Sequence, residues 1–517
     1  MIRSFLTVSS GTLASRLLGF ARDTMIAALL GAGPVADAFL VAFQLINVVR
    51  RLLTEGAINA ALAPAWLRLQ QTKGAAAAAA FAGRVLGTVS AALIVAAALI
   101  GVLMPLVITV LAPGFAGHPA LQMAVDDARL MLPYLAFAGP VAVMMALMNA
   151  QARFALTAFS PLLFNVALIA ATLALLGWRR DTEFCALVIA ATVGVAGLLQ
   201  LSILLMRRAG GTATPLRVSF DAEMRGFLGK AFPGMVASAA PQLLVVAGAV
   251  IASASPSAVS WLYFANRLIE LPLGIVGVAM GTVLVPELTR ALRGGDPAPV
   301  AHAQSRGLEL AVGLVLPATL GLIVLGEPIV RTLFEHGAFT ASDTAATAQA
   351  LTWLALGLPA HVLVKALSPA FFARADTLTP LLAAVLGFAV TVVLALVLGR
   401  WLGPAGIAAS IACGAWSSAI ALIWRGSATF GFSIDAAVTR RLPRIFAAAM
   451  AMGGLLWLTA RLALSPDAHG AAQAVVLAGL ICGAIALYGL LLALFGVIGW
   501  SDAVNATGRA RASGLRD

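Results

Sequence analysis

Apolar runs long enough to cross a lipid bilayer recur along the chain from residue 5 to residue 498. A membrane-spanning helix needs about 20 mainly apolar residues. The chain of 517 residues is 61% hydrophobic and only 10% charged, whereas soluble domains carry about 25% charged residues. So few charges cannot cover a water-exposed surface, and the runs leave no room for a sizeable soluble domain. The sequence therefore predicts an all-α polytopic membrane protein.

Charge and motif content narrow the classes of function. The first apolar run contains Arg16, Arg22 and Asp23, so we interpret it as a membrane helix rather than a cleavable signal peptide. The formal net charge is +12, but the basic residues recur singly or in pairs between apolar runs. Topology signals have this pattern, so no nucleic-acid partner is expected. The three cysteines are too far apart for a disulfide framework or a metal site. No P-loop or hydrolase motif occurs, and we expect a transporter without a cofactor, not an enzyme.

Fourteen membrane spans are predicted, with both termini in the cytoplasm. About 21 basic residues then fall on the cytoplasmic side and about six outside, which is the bias that cytoplasmic loops show. Spans of this length are helices, because the strands of a membrane barrel have about ten residues of alternating polarity. The approximate limits of the spans are 5–31, 35–67, 79–112, 123–151, 157–178, 184–206, 224–253, 257–289, 305–333, 344–372, 378–399, 404–425, 443–463 and 473–499.

A weak internal repeat has a spacing near 220 residues. Residues 60–68 align with 282–290, and residues 146–163 resemble 366–382 with one gap. Spans 1–6 then correspond to spans 7–12, and an even number of helices makes the two repeats parallel, as in some transporters. The predicted domains are an N-lobe of helices 1–6, a C-lobe of helices 7–12, and helices 13 and 14 with a cytoplasmic tail. Their limits are 1–221, 222–430 and 431–517.

Ionisable residues stand inside several predicted spans, although a charge at the bilayer centre costs about 2.5–3.5 kcal/mol. At about 1.5 Å of rise per residue, Arg16, Arg50 and Arg267 fall near the midplane, and Arg22 and Asp37 both fall near the outer side, where they could pair. The spans hold six bases and four acids in all: Arg16, Arg22, Asp23, Asp37, Arg50, Arg51, Glu55, Arg267, Glu270 and Lys365.

Two interpretations of these charges are open. In the first, each arginine is neutralised by a carboxylate and only pins helices together, as the i,i+4 pair Arg51 and Glu55 suggests. Asp23, beside Arg22, fits the same interpretation. In the second, the arginines line a hydrated cavity with a net positive charge. The excess of bases favours the second, because Arg16, Arg50 and Arg267 lack enough acidic partners. Arginine matches the oxygens of phosphate or pyrophosphate by bidentate contacts, so an anionic ligand is expected.

Four segments of the chain resemble the MurJ/MviN family, the lipid II flippases of peptidoglycan synthesis. They are residues 9–64, with SRLLGFARD and VVRRLLTEG, residues 263–288, with YFANRLIELPLG, residues 333–351, LFEHGAFTASDTAATAQAL, and residues 371–380, FFARADTLTP. The resemblance covers essentially the whole chain. It implies the multidrug/oligosaccharidyl-lipid/polysaccharide exporter architecture, with two six-helix lobes and two extra C-terminal helices.

The resemblance also implies a binding site. In the family a central cationic cavity receives the pyrophosphate and headgroup, and a groove by helices 13 and 14 holds the polyprenyl tail. The chain departs from the family at Asn266, where many relatives have aspartate, and it has no carboxylate between 380 and 398 for the sodium ion that some relatives bind on helix 11. The positions carried over by the matching motifs are Arg16, Arg22, Asp37, Arg50, Arg51, Glu55, Ser260, Asn266, Arg267 and Glu270.

The leading hypothesis is a lipid II flippase of the bacterial inner membrane that works by alternating access. The expected partners are lipid II, membrane lipids and cell-wall synthesis proteins. One alternative is an exporter of another polyprenyl-linked polysaccharide, or a cation-coupled drug antiporter, of the same superfamily. A drug antiporter is expected to carry membrane carboxylates, but arginines predominate here. A membrane scaffold without transport is the third hypothesis, and it gives no reason for three midplane arginines.

Overall fold

The computed structural model is helical throughout the residues that it describes. These are residues 2–52, 58–151, 153–178, 180–206, 216–280, 297–372, 374, 376–430, 435–464 and 470–497. Within them the structure has fifteen α-helices and one short 3₁₀ turn, Pro113–Phe115, and it has no strand. The predicted all-α polytopic fold is therefore confirmed.

The helices follow one another through short connections. They are α1 Ile2–Leu30, α2 Pro34–Leu52, α3 Ile58–Val102, α4 Met104–Leu111, α5 Pro119–Met131, α6 Pro133–Ala150, α7 Phe154–Trp178, α8 Thr182–Met206, α9 Ala222–Ala252, α10 Ala258–Ala279, α11 Pro297–Phe334, α12 Ala341–Phe372, α13 Leu378–Phe430, α14 Ala436–Ala463 and α15 Ala471–Leu494.

Nine helical stretches among the described residues are long and apolar enough to cross a membrane. They are Ala61–Val102, Pro119–Ala150, Leu156–Trp178, Thr182–Met206, His302–Phe334, Ala341–Phe372, Leu378–Thr429, Val438–Ala463 and Ala471–Leu494. The stretch in α13 contains two predicted spans, 378–399 and 404–425, which are separated only at Gly403. Gly403 has a φ of 56° there, a backbone conformation that glycine adopts at no steric cost.

The chain divides into two compact units. Unit 1 comprises Met1–Tyr263 and Phe334–Asp343, and unit 2 comprises Phe264–Leu333 and Thr344–Asp517. The chain therefore passes between the units three times, and α10 and α12 each begin in unit 1 and continue in unit 2. The lobes predicted from the repeat, 1–221 and 222–430, stay a prediction.

Unit 1 is built from closely packed helix pairs. α1 packs along α7, α3 along α6, and α2 against α5, while α8 lies against α5, α6 and α7. Small residues allow this approach, as is typical of membrane helices. A Cβ atom on Gly194 of α8 would meet the carbonyl group of Leu130, and one on Gly197 would meet the rings of Tyr134 and Phe137.

Unit 2 contains a buried cluster that joins its last two helices to α11. Ile445 and Met452 of α14 pack with Tyr488 and Leu492 of α15. The Tyr488 hydroxyl donates a hydrogen bond of 2.8 Å to the carbonyl oxygen of Gly313 in α11. This bond satisfies the one polar atom that Tyr488 brings into an apolar environment.

Candidate functional site

Arg22 of α1 is buried, although it lies on an apolar helix. Its side chain contacts one oxygen of Asp23, with Nε at 2.8 Å and Nη2 at 2.6 Å. Nη1 donates to the side-chain oxygen of Asn165 in α7 at 3.0 Å, and the Asn165 amide nitrogen donates to the Ser15 carbonyl oxygen at 3.0 Å. The Tyr263 hydroxyl reaches the same oxygen of Asp23 at 3.4 Å. These contacts compensate the cost of burying the charge.

Aromatic rings complete the surroundings of Arg22 and extend them to Arg50. The guanidinium carbon of Arg22 lies 4.9 Å from the centroid of the Phe43 ring and 5.8 Å from that of Phe164. The guanidinium carbon of Arg50 lies 5.7 Å from the same Phe164 centroid. Arg50 also donates from Nε to the Asn47 side chain at 3.3 Å. The structure therefore brings two of the predicted arginines to one ring, where the face of the π-system attracts cations.

Arg16 has a different environment from Arg22, although both lie on α1. It lies at the middle of the helix and is exposed. No hydrogen bond or ion pair joins it to any residue within the described ranges. Among the arginines of unit 1, exposure therefore increases from Arg22, which is buried, to Arg50, which is half-buried, to Arg16.

Asp37 and Ser260 are joined in unit 1 by two hydrogen bonds. The backbone N–H of Ser260 donates to Asp37 Oδ1 at 2.8 Å, and the Ser260 hydroxyl donates to the same oxygen. Both residues are almost completely buried. Since Ser260 lies in the first turn of α10, Asp37 accepts from a backbone N–H that has no partner within its own helix. The predicted pairing of Arg22 with Asp37 is wrong, because Arg22 contacts the adjacent Asp23 instead.

Arg267 and Glu270 form an ion pair in unit 2. Arg267 Nη1 lies 2.7 Å from Glu270 Oε2, at the i,i+3 spacing within α10, and both residues are half-buried. The expectation that Arg267 lacks an acidic partner is therefore wrong, because residues three apart on a helix face each other. Asn266 precedes this pair and is also half-buried.

The structure does not describe the side chains of two predicted site residues, Arg51 and Glu55. Arg51 lies on α2, and its side chain is outside the described part of the structure. Glu55 lies outside the described residues altogether. Their predicted i,i+4 pairing stays a prediction. Within the described ranges, no group of three His, Cys, Asp or Glu side chains is placed to hold a metal ion.

The sequence did not identify Asn165, Phe43 and Phe164 as site residues. Asn165 was recognisable only as a polar residue within the apolar span 157–178. Phe43 and Phe164 are indistinguishable from other core aromatics in the sequence. Their significance depends on Arg22, which is distant from Phe164 in the chain.

Comparison with known proteins identifies relatives along most of the chain. The family model described as "Lipid II flippase MurJ" matches residues 26–467. A protein of Rhizobium meliloti (strain 1021), named "Probable lipid II flippase MurJ", is 38% identical over 94% of this chain and 92% of its own length. The "Lipid II flippase MurJ" of Burkholderia cenocepacia is 32% identical over 82% of this chain and 83% of its own.

Two solved structures share the fold. "Lipid II flippase MurJ, inward closed conformation" has a TM-score of 0.79 at 21% identity and covers 95% of this chain and 98% of its own. An inward-facing multidrug resistance MATE family transporter has a TM-score of 0.68 at 12% identity, over 83% of this chain and 98% of its own. The family model and the relatives, which cover most of the chain, show that it belongs to the lipid II flippase MurJ family, whose members are membrane transporters and not enzymes.

Proposed function

We propose that this chain carries lipid II from the cytoplasmic to the periplasmic leaflet of the bacterial inner membrane by alternating access. Family membership supports the substrate. The observation that carries the mechanism is the exposed Arg16 at the middle of α1. A cation in that position costs several kcal/mol in hydrocarbon. It is stable if the helix face that bears it lies in water and meets an anion.

The arginines have separate roles in this proposal. Arg22 is already neutralised by Asp23 and held by Asn165, so it adds no net charge and serves to fix α1 against α7. Arg50 is half-buried beside the same Phe164 ring, and Arg16 is exposed. We assign to these last two the direct, bidentate contacts with the pyrophosphate oxygens. The Arg267–Glu270 pair has a net charge of zero while it is closed, so Arg267 binds phosphate only when Glu270 releases it.

The remaining predicted positions fit the same cycle. Asp37 and Ser260 hold α2 against the first turn of α10, a contact that opens and closes with access. Arg51, Glu55 and Asn266 are assigned to the lining of the headgroup cavity. The lobes 1–221 and 222–430 rock about the cavity, and helices 13 and 14 of the segment 431–517 hold the polyprenyl tail. Both termini are cytoplasmic, and cell-wall synthesis proteins receive the product.

The test uses cells in which the endogenous flippase is depleted and this chain is supplied. Exposure of the lipid II headgroup is measured with an externally added enzyme that cleaves it only at the outer leaflet. Cells with the wild-type chain are expected to expose the headgroup. Cells with R16A or with R50A are expected to keep it inside while the protein remains inserted and folded.

A matched control removes a basic residue that has no role in the cavity. Arg68 is exposed on α3, so R68A is expected to support full exposure of the headgroup. Wild-type exposure by the double variant R16A/R50A would refute the arginine site. Failure of the wild-type chain to expose the headgroup would refute the substrate, and another polyprenyl-linked saccharide would then be assayed in the same cells.

A further inference from the structure

The segment Phe334–Asp343 connects α11 to α12, and we call it the 334–343 connector. It belongs to unit 1, although the residues before and after it belong to unit 2. The backbone N–H of Ala338 donates a 2.8 Å hydrogen bond to the carbonyl oxygen of Ala28, in the last turn of α1. The Phe334 ring is buried with its centroid 6.0 Å from that of Phe20. The connector therefore supplies a partner to a carbonyl group that α1 itself leaves without one.

Two glycines allow this close approach. Gly31 follows α1 with a φ of 69°, and Gly337 lies in the connector with a φ of 60°. A Cβ atom on Gly31 would overlap the carbonyl oxygen of Ala338, and one on Gly337 would overlap that of Ala28. Each glycine is required both for its left-handed backbone and for the space that the opposite segment occupies.

Asp343 connects the end of the connector to α10. Its Oδ1 accepts a 2.9 Å hydrogen bond from the indole N–H of Trp261. Its Oδ2 accepts from the backbone N–H of Thr340 at 2.9 Å and from the Thr340 hydroxyl at 2.7 Å. Asp343 N–H in turn lies 3.4 Å from the Thr340 hydroxyl. The contacts between Asp343 and Thr340 form a capping box in which the acidic residue is aspartate, and this box fixes the start of α12.

The Trp261–Asp343 hydrogen bond joins two residues that lie close to the boundaries between the units along the chain. Trp261 lies two residues before the chain leaves unit 1 within α10, and Asp343 is the last residue before it leaves unit 1 within α12. A single carboxylate therefore holds together the two places where the chain passes out of unit 1. Asp343 is itself buried, so water competes weakly for its oxygens.

We propose that Asp343 is a positioning residue for transport, whose bond to Trp261 holds the starts of α10 and α12 together in this state and breaks when the transporter opens to the outside. The inference rests on the proposed function, since Trp261 is adjacent to Ser260 and nearly two helical turns before Arg267. When the Trp261–Asp343 bond breaks, the 334–343 connector also separates from α1.

The first experiment separates the two bonds that Asp343 makes. W261F removes only the indole donor, D343N leaves one oxygen for the two sets of donors, and D343A removes both acceptors. The control is D376A, because Asp376 also accepts from the backbone N–H and hydroxyl of one threonine, Thr379, at the start of α13. Cysteine placed at the half-buried Ala28, which the connector contacts, is labelled from outside whole cells by a membrane-impermeant thiol reagent, in a chain whose three native cysteines are replaced by alanine.

The expected result is an increase of about tenfold in the labelling rate for W261F and D343A, which is what the loss of one hydrogen bond to a charged group can produce. D376A is expected to leave the labelling rate unchanged. If W261F and D343A lower the thermal unfolding temperature while labelling stays at the wild-type rate, the pair is only structural and the proposal is wrong.

The second experiment prevents the release. A28C and A338C are combined and joined by a short bifunctional thiol reagent that reduction cleaves. Cross-linked cells are expected to lose exposure of the lipid II headgroup and to regain it after reduction, while either single cysteine has no effect. Undiminished exposure with complete cross-linking would overturn the proposal. Labelling at residue 28 needs no substrate, so a failure of the lipid II assay alone would indicate failure of the proposed function instead.

Discussion

Arg22 of α1 and Arg50 of α2 share one aromatic neighbour, because their guanidinium carbons lie 5.8 and 5.7 Å from the centroid of the Phe164 ring. Phe164 is itself buried, stacked against Phe43 with centroids 6.4 Å apart and edge-on to Tyr134 at 5.4 Å. A single ring on α7 therefore orients two cations from different helices.

We expect F164L to impair transport more than a comparable change elsewhere in the same core. A buried cation–π contact contributes about 0.5–2 kcal/mol, and F164L removes two of them together with the packing of the ring. The control is F39L, because Phe39 is fully buried and stacked on Phe43 but carries no guanidinium group. Headgroup exposure and thermal unfolding are measured for both. Equal loss of exposure in both variants would show that the ring acts only by its volume.

The Asp37–Ser260 contact predicts a graded loss of stability. S260A removes the hydroxyl donor and keeps the backbone N–H bond, so we expect a loss of about 1–2 kcal/mol in the free energy of unfolding. D37A removes the acceptor of both bonds, and we expect about 2–4 kcal/mol, because a buried N–H loses its partner. Thermal unfolding of the purified protein measures both. An S260A effect larger than that of D37A would contradict the assignment of Asp37 as the common acceptor.

An ion cluster links α3 to the start of α9. Glu223 accepts from Arg84 Nη2 at 2.6 Å and from Lys73 Nζ at 2.6 Å, and Arg84 Nε lies 3.1 Å from Asp221. Arg84 is the more buried of the two bases, with 23% of its side chain exposed against 60% for Lys73. Exposed ion pairs contribute about 0–1 kcal/mol and are screened by salt.

We therefore expect R84M to destabilise the protein more than K73M, and E223Q to resemble R84M. The difference between wild type and E223Q should shrink when the salt concentration is raised. The measurement is thermal unfolding at low and high salt. A larger effect of K73M than of R84M would mean that burial does not set the strength of these pairs.

Asp376 predicts a dependence of stability on pH. Hydrogen bonds from the side chain and then the backbone of Thr379 lower the pKa of this carboxyl below its ordinary value. A lowered folded-state pKa contributes stability above the unfolded value, which is about 3.9, and that stability is lost as the pH falls through the folded-state pKa. The difference in thermal unfolding between wild type and D376N should therefore be largest near neutral pH and smaller in acid.

T379V provides the check on the cause. It removes the hydroxyl donor and keeps the backbone N–H, so the pKa of Asp376 rises towards its ordinary value. The acid loss of stability should then be smaller than in the wild type and complete at a higher pH. If the two proteins lose stability over the same pH range, the Thr379 hydroxyl is not the main cause of the shift.

Much of the fold was predictable because hydropathy records directly which segments lie in lipid. The apolar stretches Thr182–Met206 and Ala471–Leu494, for example, nearly coincide with the predicted spans 184–206 and 473–499. The separation of spans 35–67 and 79–112 was predictable as well. Gly74 lies between them with a non-helical φ of 84° and ψ of 174°, so α3 consists of two helical segments joined at a kink.

The site was predictable as a set of residue types but not as a set of contacts. Counting charges could not assign partners, because it left both Asp23 and Asp37 available to Arg22, and only the contact with Asp23 is formed. The i,i+3 spacing of Arg267 and Glu270 could have predicted their ion pair. It was not predicted, because the overall excess of bases indicated too few acidic partners. Asn165 and Phe164 could not be identified, since their proximity to Arg22 depends on how α1 packs along α7.

The ten residues of the 334–343 connector also determine how the molecule can be dissected. A fragment that ends at Tyr263 would carry nearly all of unit 1 but would lack these residues. The last turn of α1 would then lose the Ala338 donor, the Phe20 ring would lose Phe334, and Trp261 would lose its acceptor. For co-expression as two fragments, the chain is therefore better divided between α12 and α13, because the first fragment then retains the connector.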